Sequence, residues 1–158
     1  MTTVRGLRAA LLGMALLLSC ALPVAGQKPS DPNALGPLQG RWYSRSTESD
    51  GKQQSGVNKA DLHVINGREV VGMVDRSIVS KATIKTVHRG PGRDVGTITL
   101  AMTAGSDRGK TWIALYQVTG DTLRWCGSYV GENDTLPSAF VTKAGDHYFL
   151  RTMAREKP

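Results

Sequence analysis

Cysteine is nearly absent from this chain of 158 residues, which has only Cys20 and Cys126. Cys20 lies in an N-terminal segment expected to be removed or processed, so Cys126 has no partner in the folded domain. An intrachain disulfide framework is excluded, and the core has to hold by packing. Histidine is scarce too. His63, His88 and His147 are far apart, and no HxxxH or CxxC spacing exists to suggest a metal site. Aromatic residues are limited to three Trp, four Tyr and two Phe. No run of Lys or Arg occurs and no basic stripe is interleaved with aromatics, so the usual footprint of nucleic-acid binding is missing. No segment after residue 18 is apolar enough to span a membrane, and no convincing amphipathic helix is visible.

What is present begins with an export signal. Arg5 and Arg8 precede the ten-residue apolar run AALLGMALLL at residues 9–18, and small residues follow. A basic start, a short apolar stretch and a small-residue exit describe a secretory signal peptide. As a helix, ten residues rise about 15 Å, half of the ~30 Å hydrocarbon core. Two processing routes remain open. Val24 and Gly26 suit cleavage after Gly26, while Leu17-Leu18-Ser19-Cys20 is similar to a bacterial lipobox, in which Cys20 is the lipid-attachment residue. Either route places the domain outside the cytoplasm, in the periplasm or beyond. Any membrane association would run through a lipid on Cys20. From Gln27 onward 18 basic and 13 acidic residues remain, an ordinary surface balance.

The division expected is a signal peptide at 1–26, a flexible Pro- and Gly-rich linker at 27–37, and a folded domain at 38–158. Residues 34–39 are expected to form one helical turn. Beyond Gly40 short β-type runs recur roughly every ten residues, at 41–47, 62–65, 69–74, 77–88, 96–103, 111–118, 122–130, 139–142 and 147–152. Residues 52–59 read as a polar loop. Asn66-Gly67 between apolar runs predicts a type I′ hairpin turn. Along 122–130, Leu123, Trp125 and Tyr129 share one face, expected to point inward, and Arg124, Cys126 and Ser128 share the other. The fold class expected is all-β: a small antiparallel up-and-down barrel of eight or nine strands.

Several segments together carry a resemblance. They are Leu38-Gln39-Gly40-Arg41-Trp42, the run WIALY at 112–116, Gly120-Asp121-Thr122-Leu123 with Cys126, Leu136-Pro137-Ser138-Ala139-Phe140, and the closing Arg155-Glu156-Lys157. In order and spacing this resembles a bacterial domain family found mainly in planctomycetes, without established activity and similar to lipocalin-like β-barrels. Leu136 stands where that family has arginine, so no role of that arginine carries over. The resemblance implies a lipocalin-like barrel in which Trp42 packs at the closed end against Arg155. It implies no activity.

Catalytic patterns are sparse. Residues 105–111 (GSDRGKT) are one residue short of a phosphate-binding loop and lead into a strand instead of a helix, so they read as a Gly-rich hairpin loop. No GxSxG occurs, and Cys126 reads as a buried structural thiol. Most acids fall at turns. The leading expectation is an exported, non-enzymatic envelope or secreted domain that contacts an unknown protein or surface partner. The alternative is a carrier holding a small apolar ligand in the barrel, with Trp42, Trp112, Trp125 and Tyr129 as pocket walls. A hydrolase is the third reading, with no motif behind it. No cofactor and no metal are called for.

Overall fold

The computed structural model describes residues 32–54, 61–92 and 94–157. The signal peptide, Cys20 and linker residues 27–31 lie outside the described residues. A 3-10 helix, Pro32–Leu38, leads into nine strands: β1 Gly40–Ser49, β2 Lys52–Gln53, β3 Leu62–Asn66, β4 Glu69–Val74, β5 Ser77–Arg89, β6 Val95–Ala104, β7 Thr111–Thr119, β8 Thr122–Tyr129 and β9 Phe149–Arg155. Every neighbouring pair is antiparallel. The order is β1-β3-β4-β5-β6-β7-β8-β9, and β9 pairs back onto β1 to close an eight-stranded barrel. β2 is the extra strand, a two-residue extension paired only to the end of β1. The expected all-β up-and-down barrel is therefore present.

Alternation decides which side chains fill it. On β7, Trp112, Ala114 and Tyr116 are buried while their neighbours are only partly so. On β8, Leu123 and Trp125 point inward with Tyr129, as the period of two requires. Bulges interrupt the ladders at Ser44/Ser46, Gly72/Met73, Lys81/Ala82 and Ile84/Thr86. Each adds a residue to one strand and bends it, which helps a sheet curl shut.

Five sequence expectations change. Residues 32–37 are not flexible linker. They belong to the 3-10 helix, with Ala34 and Leu38 fully buried in the core. The polar loop expected at 52–59 begins as β2. The hairpin after β3 forms one residue later than Asn66-Gly67 predicts. Asn66 pairs with Glu69, the loop residues are Gly67 and Arg68, and only Gly67 has positive φ, as in a type II′ turn. The run 139–142 makes no strand. Its backbone is held by side chains instead: Arg124 Nη2 donates to the Phe140 carbonyl at 3.1 Å, and Thr142 N–H donates to Glu48 Oε1 at 3.3 Å. The last strand runs 149–155 and not 147–152, because His147 has φ 58° and the ladder with β1 continues to Arg155.

The two ends of the barrel differ. At one end the 3-10 helix covers Trp42, whose Nε1 donates to the Leu38 carbonyl at 2.8 Å. Arg155 lies 4.0 Å over the Trp42 ring, and its Nη2 donates to the Pro37 carbonyl at 3.0 Å. Arg89 donates to the Asn33 carbonyl on the same side. The other end carries the β4–β5 and β6–β7 turns, and among the described residues no helix covers it.

Candidate functional site

The uncovered end opens into a cavity of about 480 Å³ inside the barrel. Trp112 and Trp125 form one wall, their rings 5.6 Å apart and inclined at 50°. Val70, Ala82, Leu100 and Met102 supply further apolar lining. Tyr129 stands toward the mouth beside them. Adjacent strands place these residues together because directly paired residues share a face: Leu100 pairs with Trp112, and Trp112 with Tyr129.

At the mouth, the β6–β7 turn brings in Asp107 and Lys110. The Tyr129 hydroxyl donates to Asp107 Oδ2 at 3.0 Å, and Lys110 Nζ lies 2.9 Å from Asp107 Oδ1. Lys110 also reaches Glu132 at 3.5 Å and lies 4.8 Å over the Tyr129 ring. The lysine's hydrogen bond holds the Asp107 carboxyl below its ordinary range. Burial, reinforced by Asp107, pushes the Tyr129 hydroxyl upward, so it stays protonated and acts as a donor.

Deeper in the barrel are Arg151 and His63. Arg151 pairs with Trp125 across β8–β9 and with Thr47 across β9–β1, which sets it on the inner wall. Its Nη1 is 2.7 Å from His63 Nε2. Burial, helped by the neighbouring Arg151 charge, pushes the His63 imidazole down to about 3. The ring is therefore neutral at ordinary pH, and Nε2 accepts the arginine's hydrogen bond. That places the ring proton on Nδ1. The His63 ring meets Trp125 edge-on at 6.0 Å.

Of the residues expected to wall a pocket, the structure gathers Trp112, Trp125 and Tyr129 in one cavity. Trp42 is not with them. It is completely buried at the covered end beneath the 3-10 helix, with its N–H spent on Leu38. Sequence reading missed Arg151, His63, Asp107 and Lys110. Arg151 was legible in principle, since it keeps phase with Met153 along β9. The other three reach the cavity only through register and the β6–β7 turn.

The loop that resembles a phosphate cradle is this β6–β7 turn, and its Asp107 is committed to Lys110 and Tyr129. Cys126 faces outward and is fully buried under the segment joining β8 to β9. Its Sγ lies 3.7 Å from the Val141 carbonyl, and burial pushes the thiol up to about 11. That thiol is a poor nucleophile at neutral pH. Among the described residues, no group of three or more His, Cys, Asp or Glu side chains is placed to hold a metal ion, and no helix is long and apolar enough to cross a membrane. In comparisons with known proteins, no family model and no curated protein matches the chain.

Proposed function

We propose that this domain is a non-catalytic carrier that holds a small molecule in the uncovered end of its barrel. One observation carries the reading: the cavity of about 480 Å³, bounded by Trp112, Trp125 and Tyr129. Ligand pockets run to about 300–1,000 Å³ and combine apolar walls with a few placed polar groups. A barrel whose role is only to present an outer surface has no need of such a space, since eight strands can be filled by their own side chains. The resemblance to lipocalin-like barrels supports the same reading. The N-terminal signal at residues 1–26 supports a site of action outside the cytoplasm.

Filling the cavity tests the proposal. Ser80 lies on the cavity wall. Ser80→Phe should abolish binding of a neutral naphthylamine dye while leaving the far-ultraviolet dichroism of the barrel unchanged. The chain with Ser80 should bind one dye molecule and show quenching of its tryptophans. Equal dye binding by both chains, or none by either, would overturn the carrier reading.

A further inference from the structure

Arg151 has fewer partners than its position demands. A guanidinium offers five N–H donors in a planar fork, yet among the described residues its one hydrogen bond is to His63, and it makes no ion pair. The carboxylates around the cavity do not supply a counter-ion. Asp107 and Glu132 are engaged by Lys110 at the mouth. Asp61 also lines the cavity and attracts Arg151 electrostatically, but from beyond ion-pair distance. Two more donors beside Arg151 lack acceptors among the described residues. Trp125 is 5% exposed and its buried Nε1 has no partner there, and the buried His63 Nδ1 has none either. The groups immediately around Arg151 are thus donors, while the carboxylates of the lining are Asp107 and Glu132, held by Lys110 at the mouth, and Asp61, beyond ion-pair distance.

We propose that the cavity takes a monocarboxylic acid with an apolar body, its carboxylate on the Arg151 fork and its body along Leu100, Met102 and Trp112. This deepens the carrier reading and rests on it. A carboxylate fits because its two oxygens match the planar fork in a bidentate pair. A single charge is the most the site can take: among the described residues Arg151 is the one lining cation not already paired to a carboxylate, and Asp61 nearby adds repulsion that a second negative charge would feel without a partner.

Decanoate and 1-decanol share a tail and differ in the head group, and each can be titrated against the bound naphthylamine dye at pH 7.5. The expected result is that decanoate binds at least about tenfold tighter than 1-decanol, the scale of a charge-assisted hydrogen-bonded pair. Arg151→Met should erase that preference by weakening decanoate alone. Arg151→Lys, which keeps the charge without the fork, should fall between. Asp61→Asn should tighten decanoate several-fold by removing repulsion, and it keeps the test decisive should Arg151→Met fail to fold. Equal binding of acid and alcohol, or dye binding that neither displaces, would overturn the carboxylate proposal and leave the carrier reading intact. So would a preference that survives in Arg151→Met. Absence of dye binding would overturn both.

Discussion

At the scale of single residues, the cavity is governed by what burial does to ionisable groups. Arg151 stays charged because its intrinsic affinity for the proton is so high. His63 gives way instead and remains neutral, with its folded value near 3 against an ordinary 6.5. Between those values the unfolded chain binds a proton that the folded chain excludes, so stability falls as pH drops through 6.5. The expected loss from His63 between pH 7 and 5 is about 1–2 kcal/mol. His63→Gln keeps an acceptor for Arg151 and removes the titration. Urea unfolding across that window should show the loss in the parent chain and its absence in the variant; parallel curves would refute the assignment. Asp107 and Glu156, whose carboxyls are held below their ordinary range, lose their contributions only at lower pH.

At the scale of elements, the turns at the uncovered end differ in how well their residues suit them. The β4–β5 hairpin has Asp75 and Arg76 at its tip, with φ of 47° and 66°. Two positive φ values in a two-residue loop are the signature of a type I′ turn, which favours Asp-Gly. Arg76 is exposed and carries a steric cost there that glycine avoids. Arg76→Gly is expected to stabilise the domain by about 1 kcal/mol, read as a higher denaturation midpoint at unchanged slope. The connection from β8 to β9 is held differently, as a strap laid over the outer face. The Thr142 hydroxyl donates to Glu48 at 2.6 Å and accepts from Gly51 N–H at 2.9 Å. Gly145 N–H donates to Asp50 at 3.1 Å. This strap explains why Cys126 and Leu150 are buried although they point away from the barrel interior, and its own Thr142 is buried against β1.

At the scale of the whole molecule, pairing of β1 with β9 leaves the main sheet without the exposed edges that promote aggregation. The register of that closure runs from Trp42↔Arg155 to Ser49↔Phe149. At its covered end Arg155 stacks on Trp42 and ties the 3-10 helix to the last strand. A double-mutant cycle with Trp42→Ala and Arg155→Ala should give a coupling of about 1 kcal/mol. Additive effects would mean that the stack contributes nothing beyond each side chain's own contacts. Among the described residues the two ends thus differ: one is closed by aromatic and guanidinium packing, and the other opens into the cavity.

Local chemistry made much of this legible in the amino-acid order. Period-two alternation, β-branched content and regularly spaced turns are short-range properties, so they announced an all-β barrel, most strand positions and the inward face of Leu123, Trp125 and Tyr129. Failures came where distant groups replaced local preference. Residues 139–142 have the composition of a strand, but Glu48 and Arg124 take up their backbone groups. Residues 32–37 have the composition of a linker, but the barrel end offers Ala34 and Leu38 a core to enter. The site divides in the same way. Trp112 and Trp125 were readable as aromatic residues on barrel strands, whereas the exclusion of Trp42 from the cavity depended on which end the 3-10 helix covers. That Arg151 meets His63 and, among the described residues, forms no ion pair was decided by barrel closure, because β3 and β9 come together only through the register of β1 between them.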